Sequence, residues 1–122
     1  INAAKNGWDK RIVSVFQPHL FSRTRDFFKE FAKSLFDSNI IIITDIYPAR
    51  EKPIKGISSK LIMNELKLIG HKNINYLPDL EELNQLLDTI IKSGDMLITM
   101  GAGNIWRYSN KYNQHLINKS KT

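Results

Sequence analysis

Apolar residues along this chain follow two patterns that alternate with each other. In the first, nearly every position is apolar and many are β-branched, which is typical of strands buried inside a parallel sheet. In the second, apolar residues recur every three or four positions, which predicts helices with one buried face. The predicted strands are 11–16, 40–46, 74–77 and 96–100, and the predicted helices are 24–36, 58–69 and 79–92, with shorter helical stretches at 2–8 and after 104.

Strands that alternate with helices predict an α/β fold, with a mostly parallel sheet and helices on both of its faces. We expect the strands to lie in chain order, with the strand ends Phe16, Thr44 and Met100 near one edge of the sheet. The length of 122 residues fits a single domain spanning 1–122, which we expect to fold by itself. Because the chain starts without methionine and in a helical pattern, we expect it to be part of a longer protein.

Composition excludes several kinds of site. The chain has no cysteine, so it forms neither a disulfide nor a thiolate metal site, and a reducing, cytoplasmic location is expected. No stretch reaches the roughly 18 apolar residues of a membrane span, so no membrane partner is predicted. The net charge of +6 comes from scattered lysines without interleaved aromatic residues, so no nucleic-acid partner is predicted either.

The segment 16–25, between the first strand and its helix, concentrates polar chemistry. It holds His19, Arg23 and Arg25 within seven positions. Ligands of parallel sheets bind beyond the carboxyl ends of strands, so this junction is the predicted site. A structural explanation is that Ser22 or Thr24 caps the helix, but a cap leaves the crowding of basic residues unexplained.

Loops after the second and fourth predicted strands should reach the same edge of the sheet. Together the three loops would form a cationic edge suited to a carboxylate or a phosphate. A glycine turn at a helix start can bind an anion, although this one matches neither a P-loop nor a dinucleotide fingerprint and also fits a simple tight turn. Possible pocket-lining residues in these loops are Asp45, Tyr47, Arg50, Gly101, Gly103 and Asn104.

The remaining titratable residues predict no catalytic group. His71 and His115 have polar neighbours in the sequence, and we expect both at the surface. Glu51, Glu81 and Glu82 lack the spacing of an acid/base pair, so a solvated face is expected. We therefore predict neither a catalytic residue nor a metal ligand in this chain.

Several motifs, in this order and spacing, resemble the C-terminal domain of the UDP-N-acetylmuramate–L-alanine ligases, a branch of the Mur ligase family. The resemblance covers about 11–106 and is most specific at the first motif. The motifs are Phe-Gln-Pro-His at 16–19, Ser-Arg-Thr-Arg at 22–25, Thr-Asp-Ile-Tyr-Pro-Ala at 44–49, Glu51 with Pro53, Gly-Asp at 94–95 and Gly-Ala-Gly-Asn at 101–104.

The resemblance implies a Rossmann-like three-layer sandwich that closes over the active site of a three-domain enzyme. It implies that His19 and Arg23 hold the carboxylate of L-alanine. Some members have arginine where this chain has Leu20. ATP and Mg²⁺ are expected on a central domain, and UDP-N-acetylmuramate on an N-terminal domain, since this chain contains neither the family's P-loop nor its Asp-Asp-Tyr-x-His-His-Pro segment.

The resemblance also implies a reaction in peptidoglycan biosynthesis. In the family, ATP converts the lactyl carboxylate of UDP-N-acetylmuramate into an acyl phosphate, and the amine of alanine displaces the phosphate. The share of this domain would be positioning and closure, so the isolated chain is expected to be inactive. Two alternatives remain open: a stand-alone module that binds anions or nucleotides, and a domain of another Mur-type amide ligase.

Overall fold

A computed structural model describes residues 11–101 together with Ile105 and Tyr112. Within this part of the chain, strands and helices alternate, which confirms the predicted α/β fold. The strands are β1 (Ile12–Phe16), β2 (Ile40–Thr44), β3 (Ile74–Leu77) and β4 (Met96–Met100). The helices are α1 (Phe21–Leu35), α2 (Lys60–Leu68) and α3 (Leu83–Ile90), with a 3₁₀ turn at Leu80–Glu82. The helical stretches predicted at 2–8 and after 104 lie outside the described elements.

The strands form one parallel sheet in the order β3-β2-β1-β4. The expected chain order was therefore wrong. The two most deeply buried strands, β1 and β2, lie at the centre, and the less buried β3 and β4 form the edges. Phe16 is in register with both Ile43 and Met100, so the carboxyl ends of three strands meet at one edge, as predicted.

Each face of the sheet has its own apolar core, because successive side chains of a strand point to opposite faces. Ile41 and Ile43 pack against α1 and α2, whereas Ile40 and Ile42 pack against α3. Neither α1, α2 nor α3 is long and apolar enough to cross a membrane. Burial of β2 on both faces explains why its sequence is a continuous isoleucine run.

Several element boundaries differ from the predicted ones. The strand predicted to reach residue 46 ends at Thr44, because its ladder with β3 ends there and Asp45 is exposed. The helix predicted from residue 24 begins at Phe21, and the first turn predicted for 79–92 is 3₁₀. The expectation that His71 lies at the surface was also wrong. Its ring is partly buried, with Nε2 2.6 Å from the carbonyl oxygen of Ser38.

A salt bridge at the opposite end of the sheet joins β1 to the turn before β4. Arg11 donates to Asp95 through Nη2 at 2.6 Å and through Nε at 3.2 Å, and the backbone N–H of Lys92 donates to the same carboxylate at 2.8 Å. The hydrogen bond from Arg11 is the main cause that lowers the pKa of Asp95. The carboxylate is thus held in its charged form.

We predict that Asp95→Asn lowers the free energy of unfolding by about 1–3 kcal/mol near neutral pH, since it weakens a charged, partly buried contact. A carboxylate with a lowered folded-state pKa stabilises the fold above its unfolded pKa of about 3.9, and this contribution is lost as pH falls through the folded value. The difference between wild type and variant should therefore shrink below about pH 4 in urea titrations.

Asp26→Asn is the control for this experiment, because its ion pair with Arg25 is exposed and is expected to contribute little. Equal losses of stability in the two variants would contradict a stabilising role of the Arg11–Asp95 salt bridge. A difference in unfolding free energy between wild type and Asp95→Asn that does not change with pH would also contradict it.

Candidate functional site

The junction between β1 and α1 opens into a cavity at the carboxyl edge of the sheet. The cavity has a volume of about 310 Å³ and contains both residues predicted to bind a carboxylate, His19 and Arg23. It is lined by Phe16, Gln17, His19, Arg23, Phe31 and Gly101. None of these lining residues is acidic, so the walls combine an apolar side with basic and amide groups.

His19, which lines this cavity, carries an unsatisfied polar atom. Its Nδ1 is buried and makes no hydrogen bond within the described part of the chain. Its ring stacks on Tyr47 with centroids 6.1 Å apart and an interplanar angle of 18°. A buried polar atom without a partner is costly, so Nδ1 is an atom of the imidazole whose hydrogen bonding remains to be satisfied.

Arg23 lies in the first turns of α1 with its side chain exposed. No acidic residue among the described ones forms an ion pair with it. Its guanidinium is therefore available for an external anion, and its planar geometry suits the two oxygens of a carboxylate. The lining of one cavity thus includes both a cation and an imidazole.

Gln17 is a central residue of the site that sequence reasoning missed. It is buried at 4% exposure, its side-chain oxygen accepts from the backbone N–H of Ile105 at 3.2 Å, and its own N–H donates to the carbonyl of Met100 at 2.9 Å. It therefore joins β1 to the segment that follows β4. Its position, as a polar residue directly after a buried strand, is the sequence signal that could have identified it.

The loop after β2 lies against this junction. The N–H of Tyr47 donates to the carbonyl of Pro18 at 2.8 Å, and the N–H of Leu20 donates to the carbonyl of Tyr47 at 2.9 Å. These bonds continue the parallel pairing beyond the ends of the strands, as an isolated bridge between His19 and Tyr47. The segments that follow β1 and β2 are therefore in contact, as predicted.

Asp45 and Tyr47 line a neighbouring cavity of about 240 Å³ that shares Gln17 with the first. The hydroxyl of Tyr76 donates to Asp45. This hydrogen bond, with burial and the negative charge of Asp45, raises the pKa of Tyr76 to about 12. Asp45 is thus already committed to a partner.

Glu51 was expected on a solvated face, and it is partly exposed but also has a structural contact. Its carboxylate accepts from the backbone N–H of Ser22 at 3.0 Å and so satisfies the first turn of α1. Hydrogen bonding from Ser22 is the main cause that lowers the pKa of Glu51, and the charge of Arg25 adds to it. The hydroxyl of Thr24 instead donates to the carbonyl of Leu20, so neither of the two residues expected to cap α1 does so.

Two further residues predicted to line the pocket, Arg25 and Arg50, line neither of these cavities. Arg25 is exposed and pairs with Asp26 at 2.9 Å, which raises the pKa of Arg25 and lowers that of Asp26. Arg50 is exposed in the loop after β2 and lines neither cavity. Gly103 and Asn104 lie outside the described residues.

Backbone strain is concentrated in the same two loops. Among the described residues other than glycine, positive φ angles occur at Leu20 (71°), Ala49 (55°) and Arg50 (133°). Side chains with a Cβ avoid this region, and such residues persist where the surrounding structure holds them in place. The two loops are therefore held in a defined conformation by their contacts.

A family model described as "Mur ligase, glutamate ligase domain" matches residues 1–103. The chain belongs to the Mur ligase family. It is 50% identical over 105 residues to the UDP-N-acetylmuramate–L-alanine ligase of Geotalea uraniireducens, covering 86% of this chain and 23% of that protein. It is 38% identical over 123 residues to the ligase of the same name from Salinibacter ruber, covering 100% of this chain and 26% of that protein.

The fold is also that of a solved Mur ligase. The structure of the UDP-N-acetylmuramate–alanine ligase of Thermotoga maritima matches with a TM-score of 0.66 at 24% identity, covering 91% of this chain and 21% of that one. The predicted three-layer arrangement is thus confirmed. The chain spans about a quarter of the length of the curated Mur ligases that it matches.

Gly101 lets the end of β4 approach Gln17 in this Mur ligase domain. Its φ is 156°, and a Cβ there would lie 3.0 Å from the Cβ and the carbonyl oxygen of Gln17 and 3.0 Å from Cγ2 of Ile105. We predict that Gly101→Ala lowers the free energy of unfolding by about 1–3 kcal/mol through strain and crowding. Urea denaturation measures the loss.

Gly70→Ala is the matched control, because φ is 103° there and nothing lies within 4 Å of the added Cβ. Gly70→Ala should lower the free energy of unfolding only through backbone strain, by about 1 kcal/mol. Equal losses at the two positions would mean that the close approach to Gln17 is unimportant.

Proposed function

We propose that this chain is the C-terminal, amino-acid-binding domain of an ATP-dependent ligase that joins L-alanine to UDP-N-acetylmuramate in peptidoglycan biosynthesis. The observation that carries the proposal is the cavity that contains His19 and Arg23 and has no acidic residue in its lining. It occurs in a chain that is 50% identical to part of a protein with that name. The identity of this relative favours an alanine ligase over the two alternatives raised from the sequence.

In this proposal, Arg23 binds the alanine carboxylate through its guanidinium and His19 adds a contact from the imidazole. The pairing of a guanidinium with a carboxylate is strong because both groups are planar and both are charged. The apolar side of the cavity, formed by Phe16 and Phe31 with ring centroids 5.2 Å apart, suits a small hydrophobic substrate. Leu20 stands where some family members have a second arginine, so His19 and Arg23 act without it.

The chemistry assigned to these residues is positioning. The alanine amine forms the new amide bond with the activated lactyl carbonyl, and phosphate is the leaving group. Fixing the carboxylate orients the amine toward that carbonyl, and proximity of this kind can supply up to about 7–11 kcal/mol of a barrier. Closure of the domain would also keep water away from the activated carbonyl.

ATP and Mg²⁺ are assigned to the rest of the ligase. ATP supplies the phosphoryl group that activates the carboxylate, and Mg²⁺ neutralises the phosphates. The described residues contain no group of three or more histidine and acidic side chains arranged to hold a metal ion. The 122 residues also contain no P-loop motif. The UDP-linked substrate and the remaining domains are the proposed partners, in the cytoplasm where these nucleotides are made.

We predict that Arg23→Ala in the full-length ligase raises the KM for alanine about 10- to 100-fold, the equivalent of a lost charged hydrogen bond. The KM for ATP should stay within about twofold, since Arg23 is assigned no contact with the nucleotide. Phosphate release, measured over a range of alanine concentrations, gives both constants.

Arg25→Ala is the matched control. It removes the same side chain two positions along α1, where the guanidinium pairs with Asp26 and lies outside the cavity lining. It should leave the KM for alanine within about twofold. An unchanged KM in Arg23→Ala, or equal effects of the two variants, would refute the proposed site.

A further inference from the structure

We infer that Glu51 is a positioning residue for the amino-acid site, acting through the turn that separates His19 from Arg23. This inference rests on the proposed function. It concerns a carboxylate that lies outside the cavity lining and comes from a different loop.

The turn at Leu20–Ser22 sets the distance and orientation between His19 and Arg23. Leu20 adopts a φ of 71° and a ψ of 138°, which side chains with a Cβ rarely adopt. Leu20 is also the residue before α1, and it offers no side chain to cap the helix. Contacts from outside the turn must therefore hold it.

Those contacts come from the loop after β2. The carbonyl of Tyr47 accepts from the N–H of Leu20 at 2.9 Å, and the carboxylate of Glu51 accepts from the N–H of Ser22 at 3.0 Å. The second contact joins residues 29 positions apart and is the charged one of the two. A carboxylate at a helix N-terminus is favoured by the helix dipole and by the otherwise unpaired N–H groups.

The position of Glu51 also decides where a substrate carboxylate can bind. Glu51 already occupies the anion position at the start of α1, so a second carboxylate is directed to the side chains of His19 and Arg23. Hydrogen bonding from Ser22 is the main cause that lowers the pKa of Glu51, so the carboxylate is charged where it contacts the turn. Glu51 therefore fixes the turn without occupying the cavity.

The test measures the KM for alanine and for ATP in the full-length ligase for Glu51→Ala, Glu51→Gln and Arg23→Ala. Glu51→Ala should raise the KM for alanine about three- to tenfold, in the range of a lost helix cap, with the KM for ATP unchanged. Glu51→Gln keeps an oxygen that can accept from Ser22, so its KM for alanine should lie between those of wild type and Glu51→Ala. A residue that only stabilises the fold would lower Tm without this split between substrates.

A double variant shows whether Glu51 acts through Arg23. In the Arg23→Ala background, Glu51→Ala should raise the KM for alanine by less than about twofold more, since the group being positioned is gone. Glu30→Gln is the control, because Glu30 is an exposed carboxylate on the same helix, and it should leave both constants unchanged. If Glu51→Ala does not fold, Glu51→Gln with its own double variant carries the test.

The outcomes separate this inference from the function on which it rests. A raised KM in Arg23→Ala with no change in either Glu51 variant overturns the role of Glu51 and leaves the site intact. A lowered KM in Glu51→Ala, or additive effects in the double variant, also overturns it. No effect of Arg23→Ala refutes the proposed alanine site, and the inference fails with it.

Discussion

The pairing of β1 with β2 beyond the ends of both strands is the interaction on which the site depends. Two backbone hydrogen bonds, from Tyr47 to Pro18 and from Leu20 to Tyr47, hold the two loops together. They bring the ring of Tyr47 against His19 and allow the following residues to reach the start of α1. Without this extension of the sheet, His19 and the start of α1 would lose their contacts with the loop after β2.

The charges around the site follow a simple pattern. Three carboxylates lie in these loops or in the first turns of α1, and each has a partner other than Arg23. Asp26 pairs with Arg25, Asp45 accepts from Tyr76, and Glu51 accepts from Ser22. Arg23 is left without an acidic partner among the described residues. None of these carboxylates competes for Arg23, which leaves its guanidinium available to the external anion of the proposed function.

The buried sheet and its two apolar cores hold the elements that carry the site. Both faces of β2 are fully buried, and the two apolar cores fix α1, α2 and α3 against the sheet. Gln17 continues this order into the site, since it bonds to Met100 and Ile105 and borders both cavities. A site held on such a frame suits positioning, which needs a fixed geometry more than a reactive group.

The sequence by itself determined the alternation of strands and helices and brought the two predicted carboxylate-binding residues to one cavity. Apolar runs and helical periods are local signals, so β3 and β4 begin and end where the pattern predicted, and His19 and Arg23 share one cavity. Only the tertiary structure decided the strand order, which depends on the pairing of distant segments. It also decided the early start of α1 and the contact of Glu51 with it, because the carboxylate that accepts from Ser22 lies 29 residues further along the chain. No local pattern encodes a contact of that kind, since it exists only once β1 and β2 are paired.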